Sequence, residues 1–461
     1  MSDQPNSYRQ IVKATSLFGG VQVFNIIIAI IRSKFIAVLL GPIGMGIAGL
    51  LTSTTSLISA LTNFGLGTSA VRNVAEANGI GDKTKVSIIV TVLRRWVWVT
   101  GLLGAILTIF LSPWLSQLTF GNKDYTLAFI FLSVTLLLNQ LNSGQMVVLQ
   151  GLRKLQSLAK SGLLGSALGL LISIPMYYMW GIKAIVPAII ISSAVALVLS
   201  WYFSHKIKLE PVKVTKARTI AEGKNMLFMG IMISLSSLIT MGVSYFVRVF
   251  ISRTGGVEQV GLYTAGFSII ITYVGMIFSA MATDYYPRLS AVAHSNELSK
   301  KIMNEQAEIA LLILAPVIMV FLVFINWVVI ILYSTKFIAI NEMVHWAALG
   351  MLFKAASWSV AFILLAKGAG KLFFWNELLA NVYVLLFNII GYKFGGLEGL
   401  GISFMFAYLV YLIQVFLLAK IKYNFTFNKA FVRIFLIQLV LTVVCFILIK
   451  WMSKPYSYII G

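Results

Sequence analysis

Long apolar stretches fill most of the chain, and charged residues collect in the short segments between them. A transmembrane helix needs about 20 mostly apolar residues. Dividing the apolar stretches at glycines, prolines and charge clusters predicts thirteen membrane spans, which we number from the N-terminus. They are residues 11–40, 43–71, 86–119, 125–149, 157–180, 183–204, 225–252, 257–287, 302–333, 339–366, 372–392, 397–420 and 431–451.

Composition agrees with this pattern and excludes a water-soluble globule. Hydrophobic residues make up 59% of the 461 residues and charged residues 11%, and the mean hydropathy is +0.93. Soluble domains have roughly 45–50% apolar and about 25% charged residues. The chain is therefore predicted to be an all-α polytopic membrane protein.

The net charge of +22 follows from membrane topology and gives no reason to expect a nucleic-acid partner. With the N-terminus in the cytoplasm, 25 basic residues fall in cytoplasmic segments and 10 on the opposite side. Cytoplasmic loops accumulate Lys and Arg, so this split predicts a cytoplasmic N-terminus. The longest cytoplasmic connection, between His205 and Lys224, carries six basic residues and is expected to rest on anionic membrane lipid.

Several landmarks recur about 216 residues apart, which indicates an internal duplication. The pairs are Arg32 and Arg248, Arg72 and Arg288, Gly46 and Gly261, Gly151 and Gly368, and Gly181 and Gly396. Six predicted spans separate the copies, so both copies have the same orientation. We predict two parallel six-helix bundles, residues 1–206 and 225–420, related by a pseudo-two-fold axis along the membrane normal. A basic cytoplasmic linker (207–224) joins them, and residues 421–461 add a C-terminal helix. Transporters use such repeats for alternating access.

Polar side chains follow one face of several predicted spans, and such residues usually face protein or water. The candidate cavity lining comprises Gln22, Asn25, Ser56, Asn63, Ser237, Ser244 and Asn381. Arg32 and Arg248 end the stripes of spans one and seven. One interpretation is that they reach the outer interface or form structural ion pairs. The other is a cationic cavity for an anionic ligand, since arginine suits phosphate through its bidentate fork. Lys34 and Lys354 are weaker candidates of the same kind.

Two acidic residues within the spans are candidates for ion coupling. Glu377 begins a polar face in span eleven, and Asp284 lies near the end of span eight. Asp284 has an alternative interpretation as the i,i+4 partner of Arg288. Catalytic motifs, metal-ligand spacing and cofactor loops are absent from the sequence, so no enzyme activity and no cofactor are expected. Cys445 is the single cysteine, which excludes a disulfide within the chain.

The segments after several spans carry a family resemblance. They are Leu40-Gly41-Pro42-Ile43-Gly44-Met45-Gly46 after Arg32, Gly256-Val257-Glu258-Gln259-Val260-Gly261, Leu149-Gln150-Gly151-Leu152-Arg153-Lys154, and Phe394-Gly395-Gly396-Leu397-Glu398-Gly399. Over residues 10–420 the chain resembles the multidrug/oligosaccharidyl-lipid/polysaccharide exporter superfamily, in particular its polysaccharide branch of O-antigen flippases. That family commonly has twelve or fourteen spans, against the thirteen predicted here.

The resemblance implies a V-shaped pair of bundles that moves undecaprenyl-diphosphate-linked oligosaccharide units across the bacterial inner membrane by alternating access. It also implies the lipid-linked oligosaccharide as substrate, with polysaccharide polymerase and chain-length proteins as candidate partners. By position, Arg32 and Arg248 match the cationic cavity of the family. Alternatives that stay open are a lipid II flippase and a cation-coupled multidrug exporter. A membrane-embedded polymerase or glycosyltransferase would need a sizeable loop outside the membrane, and the sequence has none.

Overall fold

The regular structure is helical throughout the described residues. The computed structural model describes residues 4–207 and 209–451, with side chains from residue 23 onward except those of residues 225, 232, 233, 236, 273 and 283. The helices are α1 (Gln4–Thr62), α2 (Leu66–Ile80), α3 (Lys83–Phe120), α4 (Thr126–Gly151), α5 (Leu155–Trp180), α6 (Ile185–His205), α7 (Lys216–Phe267), α8 (Gly275–Ala291), α9 (Asn296–Leu332), α10 (Asn341–Ala366), α11 (Gly370–Tyr423) and α12 (Lys429–Trp451).

Nine helical stretches in this part of the chain are long and apolar enough to cross a membrane. Four of them contain 40 to 55 residues: Val23–Thr62, Leu155–His205, Ser237–Ala291 and Gly370–Tyr423. A straight 40-residue helix would measure about 60 Å, twice the hydrocarbon thickness. Each of the four is interrupted by a glycine with positive φ, namely Gly41, Gly181, Gly256 and Gly396. Dividing them there gives thirteen segments, the number that hydropathy predicts.

The glycine breaks repeat at a constant offset of 215 residues. Gly41 (φ 68°, ψ −169°) corresponds to Gly256 (φ 85°, ψ 171°). Gly181 and Gly396 share ψ −134°, with φ 56° and 55°. A Cβ atom makes these backbone angles unfavourable, so glycine is the residue that turns the chain here. The duplication predicted from the sequence therefore has a counterpart in backbone geometry.

One predicted pair of the duplication is wrong. Gly151 is helical, and the residue that matches Gly368 is Arg153, also 215 positions away and also with positive φ. The hydrogen bonds around the two residues correspond: the Lys154 amide donates to the Leu149 carbonyl, and the Ala369 amide to the Leu364 carbonyl. These 6→1 bonds close the helix C-terminus.

Two predicted helix boundaries also differ from the structure. Span two was expected to continue to residue 71, but α1 ends at Thr62 and the chain turns at Asn63–Gly65 before α2. The Asn63 Oδ1 accepts a hydrogen bond from the Gly65 amide at 2.8 Å, which stabilises this turn. Helix α7 begins at Lys216 rather than at residue 225, because the Thr215 hydroxyl caps it by accepting from the Arg218 amide at 3.3 Å.

The chain divides into two compact units, Met1–Tyr245 and Phe246–Gly461, and the boundary falls within α7. In the first unit, α2, α3 and α4 share a buried apolar core that also contains Val214 and Met226. The connection before α7 is fixed to α3, since Arg95 Nη1 donates to the Val214 carbonyl at 2.9 Å and Trp96 Nε1 to the Thr219 carbonyl at 3.0 Å. The connection is thus an integral part of this unit.

In the second unit, α10 is the most deeply buried membrane helix of those described. Its residues Val360, Ile363 and Leu364 pack in a core with α8, α9 and α11. Helix α12 is held at its end by Lys450, whose Nζ lies 3.1 Å from a Glu398 oxygen and 3.4 Å from a Glu342 oxygen. Large apolar side chains remain exposed on both units, as expected of helices that face lipid.

Candidate functional site

The first unit contains a polar cavity of about 290 Å³ between α1, α4 and α7. We call it the hydroxyl pocket. Eight of its lining residues have hydroxyl or amide side chains: Thr55, Ser56, Ser59, Asn63, Thr135, Asn139, Ser234 and Ser237. Four are apolar: Ala60, Leu136, Leu238 and Met241. None of these twelve described lining residues is charged or aromatic.

Helical periodicity explains why three helices each contribute a polar stripe. The α1 residues Ser56, Ser59 and Asn63 are spaced by three and four, which places them on one face. On α7 the lining residues 234, 237, 238 and 241 also share one face, with serines at positions 234 and 237. The structure brings together the predicted lining residues Ser56, Asn63 and Ser237.

Sequence analysis missed the contribution of α4. Thr135 and Asn139 line the pocket four residues apart, and that i,i+4 spacing is the signal that could have identified them. The surrounding sequence is otherwise strongly apolar, so this short stripe does not stand out. Thr135 is buried, whereas Asn139 is exposed to the cavity.

Most polar side chains of the pocket have no hydrogen-bond partner among the described residues. Thr55 and Thr135 donate to backbone carbonyls of their own helices, Leu51 at 2.9 Å and Leu132 at 2.5 Å. In the part of the chain that the structure describes, the side chains of Ser56, Ser59, Asn139, Ser234 and Ser237 form no hydrogen bond. These side chains supply both donors and acceptors to whatever occupies the cavity.

Helix α7 is fixed against the first unit on both sides of the pocket. On one side, Gly230 touches the backbone of Phe64 and Gly65 so closely that neither glycine has room for a Cβ. On the other, the Tyr245 hydroxyl hydrogen-bonds to Thr119 Oγ1 at 2.8 Å. About 22 Å of helix separates these contacts, and the α7 residues of the pocket lie between them. The pocket therefore has a well-supported wall.

Arg32 lies on α1 in a different part of the first unit and is half-buried. Its guanidinium packs beside Gly169 of α5, which Ser192 of α6 also approaches, and it interacts electrostatically with Tyr177. Among the described residues, no carboxylate lies within ion-pair distance of it. Lys34, also half-buried on α1, and Arg32 are both absent from the lining of the hydroxyl pocket.

Two other predicted residues of α1 have different outcomes. Asn25 is half-buried, and its Oδ1 accepts no hydrogen bond from the described residues. Gln22 lies outside the described side chains. Neither residue tests whether this stretch of α1 lines a cavity, so that remains a prediction.

Arg248 belongs to the second unit, where its guanidinium lies over the Tyr263 ring, 5.8 Å from the ring centre. Ser244 lies one turn earlier on α7 and is half-buried. A cationic cavity that combines Arg32 with Arg248 thus remains a prediction.

Lys354 is surrounded by aromatic rings of the second unit. Its ammonium lies 5.1 Å from the centre of the Tyr408 ring, 5.7 Å from that of Phe278 and 5.9 Å from that of Phe404. Aromatic faces stabilise a cation electrostatically, most strongly where water is excluded. Three aromatic rings thus surround the Lys354 ammonium within this membrane helix.

Glu377 forms a hydrogen-bonded cluster on α11. Its Oε1 accepts from the Tyr411 hydroxyl at 2.6 Å and from Asn376 Nδ2 at 3.1 Å. Gln414 Nε2 in turn donates to Asn376 Oδ1 at 2.8 Å. The buried Asn381 donates from Nδ2 to the Glu377 carbonyl at 2.8 Å. The Glu377 carboxyl group is thus held in place by two hydrogen-bond donors on one of its oxygens.

Asp284 forms the ion pair with Arg288 that the i,i+4 spacing predicts, with 2.7 Å between Oδ2 and Nε. The Arg288 guanidinium also donates to Gln306 Oε1 at 3.2 Å. Among the described residues, no group of three His, Cys, Asp or Glu side chains is placed to hold a metal ion.

Two sets of membrane helices broken at equivalent glycines, with polar and cationic side chains inside them, define a multi-pass membrane transporter. The sequence profile of the polysaccharide biosynthesis protein family matches residues 35–342, and the chain belongs to this family.

Relatives and solved structures agree with this class. The chain is 20% identical over 387 residues to the lipid III flippase of Escherichia coli (strain K12) and 25% identical over 390 residues to a putative O-antigen transporter of Shigella flexneri. Each alignment covers 82% of this chain and 90% of the relative.

The fold is similar to an inward-facing MATE multidrug-resistance transporter of the MOP superfamily, with TM-score 0.72 and 17% identity over 87% of this chain and 94% of that one. It is also similar to the lipid II flippase MurJ, with TM-score 0.65 and 11% identity over 97% and 95%. The predicted two-bundle fold, membership of the exporter superfamily and assignment to transporters rather than enzymes are confirmed.

Proposed function

We propose that the protein is a flippase that moves undecaprenyl-diphosphate-linked oligosaccharide units, of the O-antigen kind, across the bacterial inner membrane by alternating access. In this proposal the N-terminus is cytoplasmic, and Arg32 binds the diphosphate. The names of the two relatives, a lipid III flippase and a putative O-antigen transporter, support a lipid-linked glycan as substrate.

The observation that carries the proposal is the distribution of charge in the first unit. Helices α1, α3, α4, α5 and α6 contain no Asp or Glu, yet Arg32 is half-buried among three of them. The described acidic residues of this unit all lie outside these helices, at positions 76, 82, 124, 210 and 222. A cation within membrane helices that lacks a carboxylate partner favours an anionic ligand.

The same distribution argues against a cation-coupled multidrug exporter. A cationic substrate needs carboxylates or aromatic rings in its binding site, and the described lining of the hydroxyl pocket has neither. A lipid II flippase is the second candidate, because the lipid II flippase MurJ shares the fold. The glycan that accumulates in cells separates these two candidates.

The test is the pool of undecaprenyl-diphosphate oligosaccharide in host cells that lack the protein. We expect a complete repeat unit to accumulate on the lipid, and wild-type protein to remove it. Arg32→Gln should fail to do so, as should the double variant with Arg248→Gln, whereas Lys160→Gln removes an exposed charge of α5 and should complement. Complementation by Arg32→Gln would overturn the role of this arginine. An unchanged lipid pool together with altered sensitivity to cationic dyes would overturn the proposed function.

A further inference from the structure

We infer that the hydroxyl pocket holds one uncharged sugar ring of the transported oligosaccharide, at a place separate from the arginine that binds the diphosphate. This inference rests on the proposed function and adds a second subsite to it. Arg32 is not among the residues that line the pocket. The glycan and the diphosphate would therefore contact different parts of the first unit.

The size of the pocket limits its occupant to one small ring. A cavity of about 150 Å³ binds benzene, a ring of six carbon atoms, so the pocket of about 290 Å³ has room for roughly a dozen non-hydrogen atoms. A hexose has about a dozen non-hydrogen atoms and matches this volume. A whole oligosaccharide repeat or a polyisoprenyl chain is several times larger. The pocket thus fits a single residue of a glycan whose remainder extends outside it.

The chemistry of the lining selects against the other parts of the substrate. A diphosphate calls for Arg, Lys or helix N-termini, and the lining has no cationic side chain. An apolar ligand calls for a mostly hydrophobic and aromatic wall, whereas eight of the twelve lining residues are polar. What remains is a neutral ligand that is rich in hydroxyl groups.

The unpartnered polar groups match such a ligand. Donors and acceptors on three helices, with no hydrogen bond to another described side chain or backbone group, come from the side chains of Ser56, Ser59, Asn139, Ser234 and Ser237. A ring surrounded by hydroxyls both donates and accepts, so it can pair with all of them at once. The apolar side chains Leu136, Leu238 and Met241 supply a surface for the C–H groups of the ring. The two contacts that fix α7 keep these groups in place before the ligand arrives.

The experiment measures protection of a cysteine in the pocket. Cys445, the only cysteine of the chain, is replaced by serine, and Ser237→Cys introduces a thiol at an exposed pocket position. Asn78→Cys, exposed on α2 outside the pocket, is the matched control. Labelling by a water-soluble maleimide is followed in nanodiscs with undecaprenyl diphosphate, or with the same lipid carrying a neutral oligosaccharide repeat.

We expect the glycan-bearing lipid to slow labelling at position 237 at least fivefold and to leave position 78 unchanged, while undecaprenyl diphosphate alone protects neither. Equal protection by both lipids would overturn the sugar assignment, because the glycan would then add nothing. Protection by neither lipid, in a protein that still moves the glycan-bearing lipid, would overturn the inference and leave the proposed function standing. Absence of transport by the wild type would instead refute the proposed function.

A second measurement does not depend on the introduced thiol. Ser59→Ala and Asn139→Leu remove polar atoms from the pocket with little change in side-chain volume. Each lost hydrogen bond should raise the KM for the glycan-bearing lipid about two- to tenfold. Thr108→Val is the matched control, since Thr108 is buried in α3 and bonds only to the Gly104 carbonyl at 2.7 Å. If the control raises KM as much as the pocket variants do, the effect belongs to helix packing and the inference fails.

Discussion

Because Gly230 contacts the turn before α2, we expect the addition of one methyl group at this position to destabilise the protein. A Cβ on Gly230 would lie 2.8 Å from the Gly65 carbonyl carbon and 2.9 Å from its oxygen, and closer still to the Phe64 carbonyl oxygen. Ordinary carbon–oxygen contacts are about 3.3–3.6 Å. Gly230→Ala must therefore push α7 away from α1 by at least about half an ångström. Because the opposing atoms are backbone, no side-chain rotation can relieve the clash.

Gly242→Ala provides the matched comparison. Gly242 lies on the same helix with nothing within 4 Å of its added Cβ, so both substitutions gain the same helix propensity of about 1 kcal/mol. The difference between the two variants isolates the steric cost, which we estimate at about 1–3 kcal/mol. For a unit of 245 residues, each kcal/mol lowers the unfolding midpoint by about 2–4 °C. Gly230→Ala should therefore melt about 2–12 °C below Gly242→Ala.

Thermal unfolding in detergent measures this difference, and maleimide labelling of Ser237→Cys reports whether the pocket opens as α7 moves. We expect faster labelling in the Gly230→Ala background than in the Gly242→Ala background. Equal midpoints and equal labelling rates would show that the close backbone contact does not hold α7 in place. The account of a pocket with a fixed wall would then be refuted.

Three further predictions concern side-chain contacts. Tyr245→Phe removes the hydroxyl that is hydrogen-bonded to Thr119 at 2.8 Å. We expect denaturation to show a decrease of about 1–3 kcal/mol in the free energy of unfolding. An unchanged value would show that this hydrogen bond does not hold α7 in place. If Glu377 couples transport to protons, Glu377→Gln should abolish the response of vesicle transport to an imposed pH gradient. Tyr411→Phe removes a 2.6 Å hydrogen bond to Glu377 and should only weaken that response. An unaltered response in Glu377→Gln would exclude proton coupling at this residue. Lys450→Met breaks two partly exposed ion pairs and should lower the free energy of unfolding by only about 0–1 kcal/mol per pair. A decrease above about 3 kcal/mol would show that these pairs stabilise α12 more strongly than exposed ion pairs do.

Hydropathy predicted the membrane segments because length and composition alone decide whether a helix can span. The duplication was also visible, since Arg32 with Arg248 and Gly181 with Gly396 keep nearly constant spacing. The turn at Asn63–Gly65 was missed because the apolar run continues through it to residue 71. That turn depends on an Asn63 side-chain hydrogen bond and on the close approach of Gly230 from α7, a contact distant in sequence.

The candidate site was predictable only in part, for a related reason. Periodicity shows which residues share a helix face, and it placed Ser56, Asn63 and Ser237 among the candidate lining residues, which the structure brings together at the hydroxyl pocket. It does not show which faces meet, so Thr135 and Asn139 were not assigned to it. Contacts between helices depend on packing over the whole unit, and the spacing of residues along one helix does not reveal them.

The central claim, transport of a lipid-linked oligosaccharide, is tested most directly with purified protein in vesicles. A fluorescent undecaprenyl-diphosphate oligosaccharide is placed in both leaflets, and the fraction that a membrane-impermeant quencher reaches is followed over time. We predict that wild-type protein brings the inner-leaflet pool to the outside, and that Arg32→Gln slows this movement roughly 10- to 150-fold, the equivalent of about 1.5–3 kcal/mol of charge-assisted hydrogen bonding. A rate no greater than that of protein-free vesicles would contradict the claim.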